Sequence, residues 1–425
     1  MSRMRLGLVV QRYGKEVNGG AEVHARMIAH KLQEHYDVTV LTSCALDYQT
    51  WKPAYTAGES AEDGIQIIRF SNEPRGSRRL QGYYGRKVRG RHLVQKLHHM
   101  LGYPPWLLKI FPDAAVTEAD SLSWLRVQGP FMPGLVPYLK AEEPHYAAFV
   151  IFTALYYPGA LAVQTVPRKS IFIPTMHDEK ASYFPVYQKI MAAPEWLFFN
   201  TAAEQKFSES LFPISNSKKR IVGVGIDLIA DTVVLNEDHS VKAGITKEYI
   251  IYVGRIDTAK GCAELIRFFL QYLKETNAAL QLVLVGKKMM DVPSHPQIIC
   301  AGFVDEQLKK QLMLGARALV IPSLYESLSL VLLESFSCRV PVLANVRSEV
   351  LHDHITESKG GWGYRNYPEF KLALNELLSS DTARREKGLG GYHYVKRKYS
   401  WEAVMRYFDE AIADIDQYDT KRVNV

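Results

Sequence analysis

Residues 321–334 have the sequence IPSLYESLSLVLLE, and they begin at the end of the apolar run 318–321. A short apolar run of this kind predicts a strand that is buried on both faces of a parallel sheet. Glu326 is then expected in the loop at the carboxyl end of that strand, and Glu334 one to two turns into the helix that follows. Ligands of open α/β sheets bind outside the carboxyl ends of the strands. We therefore expect both carboxylates to face a ligand site and not the core.

A second motif lies about seventy residues upstream, where residues 249–261 have the sequence YIIYVGRIDTAKG. The pattern predicts a strand, a glycine turn and a helix that begins near Ala259. Arg255 and Lys260 flank the turn. Arginine offers a planar fork and lysine a compact point charge, and both suit phosphate. A solvated turn would also accommodate two basic residues, and two glutamates on one helix are common. The two motifs in this order are more specific than either alone.

Together, the two motifs resemble the signature of retaining, nucleotide-sugar-dependent glycosyltransferases of family 4. The resemblance implies that Arg255 and Lys260 hold the donor diphosphate. It also implies that Glu334 accepts hydrogen bonds from the ribose hydroxyls and that Glu326 contacts the donor sugar near the reacting carbon. Fixed cations would favour the diphosphate as it gains charge on departure, and for that reason no metal ion and no cofactor are expected.

Three further donor-site candidates follow from the same resemblance. Val304 is assigned to the nucleotide base, which the family contacts with backbone groups at this position. A plain strand that ends at a helix cap, at Asp305, would explain the same residues. Ser329 and Leu330 stand where the family commonly has Gly-Leu, whose amides meet the donor sugar and phosphate. The serine would narrow the pocket or add a hydroxyl contact, which leaves the identity of the sugar open.

The N-terminal half carries candidates for a second binding surface. Gly19 and Gly20 open a predicted amphipathic helix after the predicted strand 4–11, and free amides at a helix N-terminus attract anions. The resemblance places this loop against the diphosphate and the acceptor, whereas a flexible turn is the plain alternative. His177 follows the predicted strand 170–174. The resemblance implies that it lies near the donor sugar and the acceptor, and a histidine–aspartate capping pair is the alternative.

Strands and helices alternate along the whole chain, which is typical of parallel sheets with helices on both faces. The fold class is therefore α/β, and the resemblance implies GT-B: two Rossmann-like, doubly wound parallel-sheet domains that face each other across a cleft. The predicted domains are 1–214, with a crossover helix at 400–425, and 215–399, with the join in the polar stretch 212–218. The predicted strands lie near residues 4–11, 37–42, 65–70, 147–152, 170–174, 196–200, 249–253, 281–285, 297–301, 317–321 and 340–344.

Composition agrees with a globular protein, since 47% of the 425 residues are hydrophobic and 23% are charged. Four widely spaced cysteines without a Cys-x-x-Cys motif favour a reducing cytoplasm, and Cys262 and Cys300 are predicted as small core residues. The first thirty residues lack the pattern of a signal peptide. Residues 146–167 carry no charge, but Pro158 and Gly159 interrupt them, so that a strand and a helix are predicted there instead of a membrane span.

Residues 75–109 carry a basic cluster without any acidic residue, although the whole chain has a net charge of only +7. Interleaved tyrosine and tryptophan residues suit a membrane interface. We interpret the segment as a docking patch for the anionic inner face of the plasma membrane, next to a lipid-linked acceptor. A solvated basic helix is the plain alternative, and a nucleic-acid site is disfavoured because no recognition fold accompanies it. The patch comprises Arg78, Arg79, Arg86, Lys87, Arg89 and Arg91, with Arg75, Lys96 and Lys109 beside it.

Residues 41–51, 174–179, 199–201 and 360–364 also resemble a bacterial branch of the family that is associated with surface-polysaccharide assembly. The sequence thus predicts a hexosyltransferase-like enzyme that moves a sugar from a nucleotide-diphosphate sugar to a saccharide or lipid-linked acceptor in polysaccharide or glycolipid biosynthesis. Two alternatives stay open. One is a nucleotide-sugar epimerase or hydrolase on the same fold, and the other is a non-catalytic protein that binds sugar nucleotides.

Overall fold

The computed structural model describes residues 3–17, 19–74, 117–229 and 244–423. The chain divides into two compact units, Met1–Val224 together with Met405–Val425, and Gly225–Val404. The basic residues of the predicted membrane patch, 75–109, lie outside the described residues. No helix in the described ranges combines the length and the apolar character that a membrane span needs.

The first unit is built on an eight-stranded sheet with the order β3-β4-β2-β1-β5-β6-β7-β8. Its strand pairs are parallel, except that the edge strand β3 runs antiparallel to β4. The strands are β1 (Arg5–Val9), β2 (Asp37–Ser43), β3 (Gly58–Glu62), β4 (Ile65–Phe70), β5 (Ala148–Phe152), β6 (Ser170–Ile173), β7 (Trp196–Phe199) and β8 (Lys218–Ile221). The helices are α1 (Gly20–Gln33), α2 (Glu118–Gln128), α3 (Leu135–Glu142), α4 (Tyr157–Thr165), α5 (Val186–Ala192) and α6 (Ala202–Leu211).

The second unit contains a six-stranded parallel sheet with the order β11-β10-β9-β12-β13-β14. The strands are β9 (Glu248–Val253), β10 (Leu280–Val285), β11 (Ile298–Gly302), β12 (Ala318–Ile321), β13 (Val342–Asn345) and β14 (Gly361–Tyr364). The helices are α7 (Cys262–Thr276), α8 (Glu306–Leu314), α9 (Leu330–Ser337), α10 (Glu349–Ser358), α11 (Tyr367–Ser379) and α12 (Asp381–Lys398). A last helix, α13 (Trp401–Val423), follows, and its residues from Met405 onward belong to the first unit.

The helices bury one apolar stripe each, as the 3.6-residue period demands. In α7 the buried positions include Leu265, Phe268, Phe269 and Tyr272, which recur at the spacing of one helix face. The strands β10 and β12 are buried along their whole length, which explains why their sequences are apolar except at Gln281. The Oε1 of this buried glutamine accepts hydrogen bonds from the backbone amides of Thr246 and Lys247. These strands and helices form one hydrophobic core in the second unit.

Every strand that the sequence predicts is present, but three others were missed. The strands β3 and β8 form the two edges of the first sheet, and their polar sequences lack the apolar run by which the central strands were recognised. The strand β14 is glycine-rich, and glycine disfavours a strand prediction. Of the missed strands, β3 pairs with β4 in the antiparallel sense, whereas the other strand pairs of the two sheets are parallel, as predicted.

Two local predictions need correction. The helix expected to begin near Ala259 begins at Cys262, because Gly261 adopts a left-handed conformation with φ +77° just before it. A β-carbon at Gly261 would lie 2.4 Å from the carbonyl oxygen of Pro322, so that only glycine fits. Cys300 was expected in the core, but it is exposed, because β11 forms an edge of its sheet.

Both sheets reverse their strand order at one point. In the second unit the chain passes from β9 outward to β10 and β11 and then returns to β12, which lies on the other side of β9. In the first unit the same reversal occurs between β1 and β5. Loops at the carboxyl ends of the two strands that flank such a switch point diverge and leave room for a ligand.

Candidate functional site

The loops that follow β9 and β12 meet at the switch point of the second sheet. Lys260 precedes α7 and Glu326 follows β12, and the Lys260 Nζ lies 2.8 Å from the Glu326 Oε1. The side chains are 32% and 15% exposed, respectively, so that the pair is accessible from one side only. Sequence analysis placed both residues at strand ends, and the topology brings them into direct contact across 66 positions of sequence.

Asp257 organises the loop after β9. Its Oδ1 accepts a hydrogen bond of 2.7 Å from the backbone amide of Lys260. Its Oδ2 lies 3.7 Å from the Nε of Arg255, whose side chain is half exposed. The aspartate thus fixes the backbone that carries one cation and lies beside the other. Sequence analysis did not single out Asp257, although an aspartate before a helix that starts with glycine is a common turn signal.

Glu334 lies in the second turn of α9, where it was predicted, and it has a partner that the sequence did not reveal. The Nζ of Lys309, on α8, lies 3.0 Å from the Glu334 Oε1 and 2.7 Å from the Glu306 Oε2. Burial raises the pKa of Glu334, and the positive charge of Lys309 opposes that shift. For Lys309, burial acts to lower the pKa, but the charges of Glu334 and Glu306 outweigh it and the pKa is raised.

Ser329 caps α9 in an unusual way. Its backbone is left-handed, with φ +64° and ψ +69°, which is uncommon for a residue that has a side chain. The side chain does not cap the helix, and the buried Oγ has no hydrogen-bond partner among the described residues. Leu330 is the first residue of the helix, so that its amide is one of those without an intrahelical acceptor. The result is a helix N-terminus with an unused hydroxyl beside it.

Val304 lies between β11 and α8 and is half-buried, whereas its neighbour Phe303 is 76% exposed. Asp305 caps α8, because its Oδ1 accepts a hydrogen bond of 2.7 Å from the amide of Leu308. The helix cap that sequence analysis gave as the plain explanation of this stretch is therefore present. The position of Val304 next to it is compatible with the predicted backbone contact as well.

In the first unit, Gly19 and Gly20 lie at the start of α1, which follows β1 after an intervening loop. A buried ion pair lies beneath them: the Nε and Nη2 of Arg12 donate hydrogen bonds of 2.8 and 2.5 Å to the Glu22 Oε1. A β-carbon at Gly19 would lie 2.2 Å from the Glu22 Oε2, whereas one at Gly20 would meet nothing within 4 Å. A side chain at position 19 would therefore displace the carboxylate of this ion pair, which sequence analysis missed.

His177 follows β6, and Glu179 is the acidic residue that lies beside it. The His177 Nε2 lies 3.6 Å from the Glu179 Oε2, and the Nδ1 has no hydrogen-bond partner among the described residues. The carboxylate of Glu179 raises the pKa of His177, whereas partial burial acts to lower it. The adjacent Asp178 accepts a hydrogen bond of 2.8 Å from the hydroxyl of Tyr183 instead.

Glu204 fixes the backbone around His177. Its two carboxylate oxygens accept hydrogen bonds of 2.8 Å from the amides of Met176 and Asn200, which follow β6 and β7. The residue is 3% exposed, and burial raises the pKa of its carboxyl to about 7, against the effect of the two amide donors. The carboxyl thus ties two strand ends together next to His177.

Two buried histidines should make the stability of the protein depend on pH. Burial lowers the pKa of both His24 and His354 from 6.5 to about 4. A depressed pKa in the folded state means that stability is present above pH 6.5 and is lost as the pH falls towards 4. His24→Met should remove its share of this loss, which is roughly 2 kcal/mol of unfolding free energy between pH 7.5 and 5.

Urea unfolding of the wild type and the His24→Met variant at both pH values measures this difference. Glu204 titrates in the same range, but it does so in both proteins and cancels in the comparison. His352→Asn, at an exposed histidine, provides the control and should keep the wild-type pH dependence. If the unfolding free energy of the wild type and of His24→Met fell by the same amount between the two pH values, His24 would not be a source of the pH dependence.

Comparison with known proteins gives an independent view of the second unit. Residues 236–392 match the family described as Glycosyl transferases group 1. This stretch is a group 1 glycosyltransferase domain. It contains the loops with Arg255, Lys260 and Glu326 as well as the helices that carry Glu334 and Lys309. The geometry described above therefore lies within the group 1 domain.

One curated relative is 27% identical over 182 residues: an uncharacterized glycosyltransferase of Methanocaldococcus jannaschii. The alignment covers 40% of this chain and 46% of that relative, so that the chain spans less than half of the relative's length. Among solved structures, the fold is similar to sucrose-phosphate synthase of Thermosynechococcus elongatus, with a TM-score of 0.65, 15% identity and full coverage of both chains.

A second similar structure is HepE of Anabaena in complex with UDP and glucose, with a TM-score of 0.59, 14% identity and 99% coverage of both chains. At such identities the likeness concerns the fold. The α/β class with two Rossmann-like parallel-sheet units is thereby confirmed, and the structural neighbours are GT-B glycosyltransferases.

The structure brings some of the predicted residues together and leaves others with different partners. Lys260 and Glu326 are in contact, whereas Arg255 is beside Asp257 and Glu334 is beside Lys309. Ser329, Leu330 and Val304 contribute backbone at strand or helix ends of the group 1 domain, and Gly19, Gly20 and His177 lie in the first unit. The partners Asp257, Lys309, Arg12, Glu22, Glu179 and Glu204 were not found from the sequence.

Proposed function

We propose that the chain is a retaining glycosyltransferase that moves a sugar from a nucleotide-diphosphate sugar to a saccharide or lipid-linked acceptor in polysaccharide or glycolipid biosynthesis. The observation that carries this proposal is the Lys260–Glu326 pair at the switch point of the group 1 domain. A cation for a leaving phosphate and a carboxylate for a developing positive charge are the two groups that glycosyl transfer from such a donor requires.

The donor would bind at the carboxyl edge of the second sheet. Arg255 and Lys260 would hold the diphosphate, together with the amides of Ser329 and Leu330 at the N-terminus of α9. Glu334 would accept hydrogen bonds from the ribose hydroxyls, and the positive charge of Lys309 opposes the rise in the pKa of Glu334 that burial causes. Backbone groups at Val304 would contact the base, next to an exposed aromatic ring at position 303.

Retention of configuration would follow from attack on the face from which the diphosphate leaves. The acceptor hydroxyl oxygen forms a bond to the anomeric carbon while the bond from that carbon to the phosphate oxygen breaks, and the bonding electrons go to the phosphate. The hydroxyl proton passes to the same phosphate oxygen. Glu326 would stabilise the positive charge on the sugar, and Lys260 the negative charge on the leaving group. The residues of the first unit that would contact the acceptor and the phosphate are His177, Gly19 and Gly20.

The fixed cations also suggest that transfer needs no divalent metal. Arg255 and Lys260 supply the positive charge that a magnesium ion would otherwise place on a diphosphate. The rate of transfer measured in excess EDTA should then equal the rate in magnesium. A rate that depends on added metal would overturn this part of the proposal.

Binding and turnover of the purified protein test the function. Thermal shift is measured against UDP, GDP, ADP and their sugars, with UDP first because the similar HepE structure contains it. A shift for one base that disappears in both Arg255→Ala and Glu334→Ala supports the donor site. Release of the diphosphate only in the presence of cell-derived acceptors supports a transferase.

The remaining outcomes separate the alternatives. Conversion of the donor by the protein alone would indicate an epimerase or a hydrolase. Binding without turnover, even with acceptors, would indicate a non-catalytic sugar-nucleotide protein. No shift with any nucleotide would overturn the proposed donor site.

Ser329 offers a test of one donor contact. Ser329→Gly should change the unfolding free energy by less than about 1 kcal/mol, because glycine relieves the left-handed strain but loses more entropy on folding. Affinity for the nucleoside diphosphate should fall by roughly tenfold or more, since a hydroxyl that donates to a charged group is lost. Ser329→Ala, which lacks the hydroxyl but keeps the strain, should lose the same affinity. Unchanged affinity in both variants would show that the hydroxyl does not contact the ligand.

We further propose that the basic segment 75–109 docks the protein on an anionic membrane surface. This proposal rests on the sequence alone, in which nine basic residues occur without an acidic one. Flotation with vesicles that contain anionic phospholipid should recover more protein than flotation with neutral vesicles. Replacing Arg86, Lys87, Arg89 and Arg91 by glutamine should reduce that excess. Equal recovery with both vesicle types would contradict membrane docking.

A further inference from the structure

His354 lies on α10 and is buried, with 2% of its surface exposed. Its Nε2 is 2.9 Å from the carbonyl oxygen of Leu328, the residue before the cap of α9. Its Nδ1 is 2.9 Å from the hydroxyl of Tyr394, on α12, and that hydroxyl lies 3.4 Å from the hydroxyl of Tyr399. The imidazole therefore connects two helices to the loop that carries Ser329.

The direction of these hydrogen bonds follows from chemistry. A carbonyl oxygen only accepts, so that the Nε2 of His354 must carry the proton and donate it to Leu328. Burial lowers the pKa of His354 to about 4, which keeps the ring neutral at ordinary pH. A neutral ring with a protonated Nε2 accepts at Nδ1, and the Tyr394 hydroxyl must then donate. One tautomer thus satisfies both contacts.

The bond to Leu328 sets the direction of the next amide. The Leu328–Ser329 peptide is trans, because the cis peptide among the described residues is Gly129–Pro130. In a trans peptide the carbonyl and the following N–H point in opposite directions. Since the Leu328 carbonyl points to a buried histidine, the Ser329 amide points away from it. The amide and the unpartnered Ser329 hydroxyl both belong to the N-terminus of α9.

The packing of α12 explains how Tyr394 reaches the histidine. A β-carbon at Gly391 would lie 2.3 Å from the Phe336 Cδ1, on α9, and one at Gly388 would lie 2.1 Å from the carbonyl oxygen of Arg339. Gly388, Gly391 and Tyr394 follow one another at intervals of three residues along α12, so that each shares a helix face with the next. The glycines therefore let α12 approach the end of α9 closely, and the tyrosine hydroxyl arrives at His354 from a fixed position.

We propose that His354 is a positioning residue that aligns the amides at the N-terminus of α9 on the diphosphate of the sugar donor. This inference rests on the proposed function, and it adds a residue that touches neither the donor nor the acceptor. His354 acts through the Leu328 peptide, and Tyr394 holds the ring in the tautomer that donates. Without the N–H of His354 Nε2, the Leu328–Ser329 peptide would be free to rotate, and the Ser329 amide would no longer point at the diphosphate.

Three variants test the proposal: His354→Phe, His354→Gln and Tyr394→Phe. Isothermal titration measures the affinities for UDP and UMP, or for the base that the wild type prefers, and calorimetry measures the melting temperature. His354→Phe should lose roughly tenfold or more in affinity for the diphosphate and less for the monophosphate. Because charge on the leaving group increases in the transition state, kcat should fall by a larger factor than KM rises.

The other two variants separate positioning from stability. His354→Gln keeps an N–H that can donate to Leu328 and should recover diphosphate affinity to within about threefold of the wild type. Tyr394→Phe removes the donor to Nδ1 and should weaken diphosphate binding by several-fold even if His354→Phe does not fold. The positioning role would be overturned if these variants had a lower melting temperature but kept the wild-type affinity for the diphosphate and the wild-type ratio of kcat to KM. If the wild type bound no nucleoside diphosphate, the proposed function would fail first, and this inference with it.

Discussion

Glu326→Gln is expected to lower kcat by roughly 10²–10³-fold, while the nucleoside diphosphate binds more tightly than it does to the wild type. The amide keeps the shape of the side chain but removes the negative charge that would stabilise a positive sugar in the transition state. Because the sugar is positively charged only in the transition state, the loss of the negative charge of Glu326 lowers kcat and does not weaken binding in the ground state. The substitution also leaves Lys260 without its carboxylate partner, so that this cation is more available to the diphosphate.

Steady-state transfer and titration with the diphosphate measure the two quantities separately. Glu376→Gln, at an exposed position of α11, removes the same charge away from the switch point and should leave both quantities unchanged. Equal kcat in the wild type and Glu326→Gln would remove Glu326 from the reaction. A loss of diphosphate affinity as large as the loss of kcat would show instead that the Lys260–Glu326 pair is needed to build the site.

The central strands could be predicted because they are buried on both faces. A strand such as β10 is buried at every position, and its sequence is apolar except at Gln281, which is the pattern expected of a central strand in a parallel sheet. The loop position of Glu326 and the helical position of Glu334 followed from the strand β12 that precedes them. The polar edge strands β3 and β8 carry no such constraint, and they were missed for that reason.

The partners of the site residues could not be predicted, because they depend on strand order. Lys260 meets Glu326 only because β12 returns to the side of β9, and one sequence does not reveal that order. Lys309 is likewise one of two adjacent lysines on the polar helix α8, and only the structure shows which of them contacts Glu334. The helix start near Ala259 was wrong since one left-handed glycine, Gly261, delays it by a few residues.

Lys260→Met should weaken binding of the nucleoside diphosphate by roughly 10–100-fold, the cost of losing a hydrogen bond between charged groups. Lys274→Met, at the exposed far end of the helix α7 that follows Lys260 and about 20 Å away, should bind as the wild type does. Titration with UDP and with the other diphosphates of the panel measures both variants.

The variants Lys260→Met and Glu326→Gln together decide what the ion pair is for. The lysine is one-third exposed and the carboxylate less so, which means that a ligand can reach Lys260 while Glu326 still holds it. If the pair serves the donor, the two substitutions shift diphosphate affinity in opposite directions, because one removes the cation and the other releases it. If the pair only stabilises the fold, each substitution lowers the melting temperature and neither changes the affinity, since a structural ion pair loses its value whichever partner is removed. Opposite signs are the result we expect, and equal signs would contradict a donor role for Lys260.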